Sequence, residues 1–213
     1  MKIAGSFLAI PVLAVGLFSS AHAVPVSNIA EGKAVTLTDG TFFQYGWGGG
    51  IAVDPQTVVD GVFLPRSNQW DQGTVWWDDH DGVANHIEID LGGTFVIESF
   101  IVQADDNDAY VLEYRDLTTG DWLLAWDVPN YDVYGWGMQT RPDVTNDAAV
   151  YTLASSITTD ALRIGGNLNS SDRYFSVSEV QAYGYAAEVP TPAALILFSA
   201  GLLGMSLVRK KRV

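Results

Sequence analysis

The 213-residue chain has no cysteine, which excludes a disulfide scaffold, a thiolate metal site, a redox dithiol and a cysteine nucleophile. Histidine is nearly as scarce: His22, His80 and His86 are the full set. None of them sits in a His-x-x-x-His zinc spacing, and there is no Gly-x-Ser-x-Gly nucleophile motif, so the sequence points away from an enzyme. Basic residues are also few, with 11 Lys and Arg against 25 Asp and Glu. Lys2 and the terminal Arg209, Lys210, Lys211 and Arg212 lie at the ends, and every acid falls between Glu31 and Glu188, so in the middle six basic residues face 25 acids. Such a surface repels phosphate backbones, which excludes nucleic acid as a partner, and it attracts divalent cations. Between the ends no segment carries apolar residues at sustained helical spacing.

At 48% hydrophobic residues the chain can bury one sizeable core, and its two ends read as addresses rather than as parts of it. Residues 1–23 combine Lys2, an apolar run and the small-residue pattern Ala21-His22-Ala23, the signature of a secretory signal peptide cleaved before Val24. At the far end Val189, Pro190, Thr191 and Pro192 precede an uncharged run over 193–208, which stops at Arg209, Lys210, Lys211 and Arg212. As a helix the run is about 24 Å long, enough to cross a membrane weakly with the basic cluster on the cytoplasmic side. The three-part end over 189–213 resembles the PEP-CTERM sorting signal of Gram-negative bacteria, with Thr191 where that family has Glu. The resemblance implies an exosortase as partner, transient anchoring in the inner membrane, removal of the helix, and delivery to the cell surface or the extracellular polysaccharide matrix. A plain C-terminal anchor is the alternative reading of the same residues.

Residues 24–188 form the expected domain. In His86-Ile87-Glu88-Ile89-Asp90-Leu91 apolar and polar residues alternate, the period of a half-buried strand. Further strands are predicted over 33–38, 94–103, 109–115, 121–127, 148–153, 161–164 and 173–183, with Gly92-Gly93 and Gly165-Gly166 among the turns between them. Many short strands with this punctuation predict an all-β, jelly-roll β-sandwich of two antiparallel sheets.

Four segments in order carry a second resemblance: Asn28-Ile29-Ala30-Glu31-Gly32-Lys33-Ala34-Val35; Val59-Asp60-Gly61 with Asn68-Gln69-Trp70; Ile87-Glu88-Ile89-Asp90-Leu91-Gly92-Gly93; and Val177-Ser178-Glu179-Val180-Gln181-Ala182-Tyr183-Gly184. Together they resemble the galactose-binding-like, discoidin or coagulation-factor type C domain. That family implies a jelly roll binding carbohydrate, lipid or protein, and a structural calcium held by Asp60 and Glu179 with Ser67 or a nearby carbonyl. Residues 129–147 stand as an insertion relative to the family, where a ligand loop is expected. The acidic runs Asp78-Asp79-His80-Asp81 and Asp105-Asp106-Asn107-Asp108 lack EF-hand spacing and read as solvated loops, with a weak second calcium site as the alternative.

Tyr45-Gly46-Trp47-Gly48, Tyr134-Gly135-Trp136-Gly137 and the pair Trp76-Trp77 place indoles in glycine-rich or loop-like surroundings. Trp47, Trp76 and Trp136 are therefore candidates to stack on a sugar face, with Arg66, Arg141 and Asn107 as hydrogen-bonding candidates; the alternative is that these rings pack the core. The expected function is an exported, non-catalytic module that binds extracellular polysaccharide. A structural matrix protein that self-associates through calcium, without a defined sugar ligand, is the alternative.

Overall fold

The alternation in His86-Ile87-Glu88-Ile89-Asp90-Leu91 is realised as predicted: Ile87, Ile89 and Leu91 are buried, His86 and Glu88 half-buried and Asp90 exposed. The structure is a computed structural model that describes residues 26–43, 54–80, 82–131, 135, 137–169 and 172–188. The predicted signal peptide and sorting signal, and the candidates Trp47 and Trp136, lie outside these residues. Among the described residues no helix is long and apolar enough to cross a membrane.

The strands are β1 (Ser27–Asn28), β2 (Ala34–Thr38), β3 (Phe42–Phe43), β4 (Val75–Asp78), β5 (His86–Asp105), β6 (Tyr110–Arg115), β7 (Trp122–Val128), β8 (Met138–Arg141), β9 (Tyr151–Gly166) and β10 (Tyr174–Ala186), with a short 3₁₀ helix over Pro55–Val59. They join in one curled sheet of order β3-β4-β10-β5-β9-β6-β7, to which β1 adds on β10 and both β2 and β8 add on β5. Every pairing is antiparallel. The expectation of two separate sheets becomes a continuous ladder because the long strands serve more than one neighbour. Along β5, one edge pairs first with β2 and then with β10, while the other pairs with β9 and then with β8.

Gly92-Gly93 is not the turn that was predicted. The strand continues through it instead of ending there, with a register shift against β9 between Asp90 and Phe95. Gly92 takes φ +70, which a side chain would resist, and its N–H donates to the Asp90 carboxylate at 2.8 Å. The glycine pair therefore bends the strand as a bulge instead of reversing it. The predicted strands over 148–153 and 161–164 likewise merge into the single strand β9.

One core fills the curl. Trp77 lies at its centre, with Phe42 and Phe175 at ring distances of 5.5 and 5.6 Å and Tyr110 at 6.4 Å. The polar edge of Trp77 is satisfied inside by the Asp79 carboxylate, to which Nε1 donates at 3.0 Å. Across the same core the Tyr110 hydroxyl donates to the Ser176 carbonyl at 2.9 Å and accepts from the Ser176 N–H at 3.0 Å, tying β6 to β10. Burial pushes the Tyr110 phenol well above its ordinary pKa, so it stays a donor at all working pH values. Replacing Tyr110 by Phe strands both Ser176 groups in the core, and urea unfolding should show a loss of about 1–3 kcal/mol; an unchanged midpoint would exclude this tie.

Candidate functional site

Pairing sets the last residues of β5 beside the first of β8 and β10, and the first residues of β6 beside the last of β7 and β9; the Tyr110–Ser176 hydrogen bonds join the two groups. The connections at these strand ends, with the segment before β4, enclose a cleft of about 770 Å³. Its apolar surface comes from Trp70 and Tyr174, whose rings lie 6.1 Å apart at 33°. Its polar lining includes Asp71, Asp105, Asp106, Asn107 and Asp172.

Each wall is fixed by local chemistry. The Trp70 carbonyl accepts from the hydroxyls of Thr74 and Ser176, and the Trp70 ring stands edge-on to Trp76 at 5.0 Å and 89°. Asp172 accepts from the Asn107 side chain and from the Tyr174 N–H, both at 3.0 Å, which joins the two loops that carry them. Opposite, the Ser67 N–H donates to the Met138 carbonyl at 3.1 Å and the Met138 N–H to the Asn68 carbonyl at 2.9 Å. Gly137 makes this approach possible, since a Cβ there would stand 2.3 Å from the Asn68 carbonyl oxygen. Ser67 and Arg173, in two of the loops around the cleft, hold φ of 63° and 61°, a left-handed backbone that non-glycine residues rarely adopt.

The acidic run Asp105-Asp106-Asn107-Asp108 does not form the solvated loop expected of it: all four residues are buried. It follows directly on the buried end of β5, and the chain carries its carboxylates inward. Asp105 is 4% exposed and its Oδ1 has no hydrogen-bond partner. Burial and the neighbouring Asp106 push its carboxyl up to about 7, against the pull of the Asp106 N–H and Arg141.

Of the candidates read from the sequence, Asn107 lines the cleft, and so does Ser67, which had been assigned to calcium. Trp76 is 5% exposed, stacked on Phe43 at 4.3 Å, and supports the Trp70 ring from behind. Arg141 is fully buried, and its guanidinium donates to the carbonyls of Ala104, Asp105, Asp108, Pro129 and Gln139. Its place is thus behind the cleft, as a clamp. Arg66 is exposed and donates to Asp147 at 3.0 Å. Gly135 and Gly137, which flank Trp136 in sequence, both line the cleft, so part of the insertion over 129–147 borders it.

Asp60 and Glu179 are neighbours through Gly61, whose N–H donates to Glu179 Oε1 at 3.0 Å. The other carboxylate oxygen, Oε2, is buried without a hydrogen-bond partner. Burial, with Asp60 and Glu31 nearby, pushes the Glu179 carboxyl up to about 8 despite hydrogen bonds from Gln181 and Gly61. Among the described residues no three His, Cys, Asp or Glu side chains converge as a metal site, so calcium here would need backbone carbonyls to complete its shell. The Ser67 hydroxyl accepts from the Gln139 side-chain amide at 3.5 Å.

Sequence reasoning passes over Trp70, Tyr174, Asp71 and Asp172 as site residues and weighs Asp105 only within an acidic run, as an alternative calcium site. Trp70 stands in the Asn68-Gln69-Trp70 motif, and the position of Asp105 directly after the largely apolar run Phe100-Ile101-Val102-Gln103-Ala104 is the available signal for its burial.

No protein-family model matches the chain, and no curated protein matches it. Among solved structures, a fucolectin from striped bass serum aligns with TM-score 0.50 and 11% identity over 79% of this chain and 52% of that one. A chitosan-binding module of a Paenibacillus chitosanase/glucanase aligns at 0.47 and 16% identity, covering 74% of this chain and 99% of the module. A family 32 carbohydrate-binding module of Clostridium perfringens NanJ, solved with galactose, aligns at 0.45 and 14%, covering 75% and 99%. These neighbours are carbohydrate-binding modules and a lectin of galactose-binding-like fold, and the similarity to the fucolectin is one of fold.

The raised Asp105 carboxyl has a consequence for stability. Its contribution is fully present below the ordinary value of 3.8 and is lost as the pH rises through about 7. Thermal unfolding between about pH 5 and about pH 8 should therefore show a smaller fall in Tm for Asp105→Asn than for the parent chain; parallel curves would contradict the burial of this carboxyl.

Proposed function

We propose that the protein is a non-catalytic carbohydrate-binding module whose binding site is the cleft at the end of β5. The observation that carries this reading is the pairing, in one open cleft, of two aromatic rings with carboxylates and amides. Sugar rings have apolar C–H faces that stack on aromatic rings, and hydroxyls that need acceptors and donors at their rim. Trp70 and Tyr174 supply the faces; Asn107, Asp172 and Asp71 supply the rim. The structural neighbour with TM-score 0.50, a fucolectin, agrees in ligand class. Trp136, flanked by two glycines that line the cleft, is proposed as a further stacking residue. A signal peptide and a sorting signal at the two ends of the sequence support export and exosortase processing, with an extracellular polysaccharide or biofilm matrix as the setting.

Calcium at Asp60 and Glu179 is proposed as a structural ion separate from the cleft. The unpartnered, buried Oε2 of Glu179 favours it, because a cation would satisfy that oxygen and hold the Gly61 turn. At a hundredfold excess over its Kd, calcium should stabilise the fold by about 2.7 kcal/mol, read as a rise in Tm that Glu179→Gln abolishes. A melting curve indifferent to calcium and chelator rejects the ion and leaves the sugar reading intact.

The sugar reading is tested by titrating a panel of oligosaccharides into the chain. Trp70→Ala should weaken binding by about 1–3 kcal/mol, the range found for aromatic stacking contacts, with Tyr174→Ala as a second variant and thermal unfolding as the check on fold. Unchanged affinity in both folded variants would remove the cleft from the binding site. Absence of any sugar binding, with calcium-dependent light scattering in its place, would favour the self-associating matrix protein.

A further inference from the structure

Resting on the sugar-binding reading, we propose that the cleft selects an amino sugar with a free, positively charged amine, a glucosamine-type unit of a deacetylated polysaccharide, over its N-acetylated and neutral counterparts. Two independent observations lead there. The first is the charge of the lining: Asp71, Asp105, Asp106 and Asp172 are in it, and no Lys, Arg or His is among the described lining residues. The Arg141 guanidinium lies behind the wall with its nitrogens on backbone carbonyls, and it offsets only part of the effect of burial and Asp106 on Asp105.

The second is Asp105 Oδ1, an oxygen of a 4%-exposed side chain in the cleft lining that receives no hydrogen bond. A buried carboxylate oxygen without a donor is costly to keep, and a ligand group that brings both donors and positive charge relieves that cost. An ammonium carries three donors and a full charge, so its bond to a carboxylate is charge-assisted; a hydroxyl or an acetamide brings neutral donors only. A divalent metal is a poorer fit, because among the described residues no three acidic or imidazole side chains converge on one point. The carboxylates instead share the cleft lining with Trp70 and Tyr174, a combination suited to an organic cation with a ring to stack.

The same charges repel uronic acids and sulfated or phosphorylated sugars. Uptake of the amine also couples to protonation. Asp105 faces Asp106 and Asp172, which favour its neutral form, and Arg141 and the Asp106 N–H, which favour its charged form. An arriving ammonium joins the second group, so binding near neutral pH releases a proton.

The test is calorimetric titration of the full chain with glucosamine trimer, N-acetylglucosamine trimer, a neutral galactose oligosaccharide and a galacturonic acid oligosaccharide. The expected result is an affinity for the free amine about tenfold or more above that for its acetylated partner, falling as salt is raised and as the pH passes the pKa of the sugar amine. Asp105→Asn should shrink this ratio toward one by weakening the free-amine trimer far more than the acetylated one, a selectivity change that a merely structural role would not produce. If that variant does not fold, the salt and pH dependence of the parent chain decides. Equal or tighter binding of the acetylated, neutral or acidic sugar overturns the preference and leaves the sugar site standing. No binding of any of the four overturns both.

Discussion

The guanidinium of Arg141 holds together the end of the molecule on which the cleft depends. It stands at the last residue of β8, fully buried, and donates to carbonyls in the end of β5, in the loop after it, in the connection from β7 and in its own strand. A planar group with five donors can satisfy several carbonyls at once where no regular ladder reaches them, which a lysine cannot do with the same geometry. The loop after β5 and the connection after β7 are thus anchored from behind by one side chain. Asp105 and Asp106 line the cleft, and Asp108 lies beside them on the chain that Arg141 grips.

That anchoring explains why a cleft built from loops can be specific. Trp70 is held through its carbonyl and braced by Trp76, and Tyr174 is the first residue of a strand buried along most of its length. Aromatic surfaces fixed in this way lose little freedom when a ligand stacks on them, so more of the contact energy appears as affinity. On the proposed reading the acidic lining selects the ligand, and the excess of acids over the whole middle of the chain extends the same preference to longer range.

Much of the architecture is legible in the sequence because burial on one face forces alternation. The opening of β5, over 86–91, follows from that pattern alone. Gly92-Gly93 misleads because a glycine pair serves a bulge as well as a turn, and only the pairing partner distinguishes them. Strand β8 escapes prediction since Met138-Gln139-Thr140-Arg141 is polar yet wholly buried, its polar groups satisfied by distant neighbours that local pattern cannot reveal. The site is less legible still. Trp70 sits in a motif tied to the fold, while Asp105 belongs to an acidic run whose composition suggests solvent; its burial comes from the strand it ends.

The most direct test of the central claim is a crystal structure of the chain with a bound oligosaccharide. A sugar ring packed on Trp70 or Tyr174, with polar contacts to Asn107 and the carboxylates beside it, is the predicted result. A sugar bound on another surface, with this cleft holding only solvent, would contradict it.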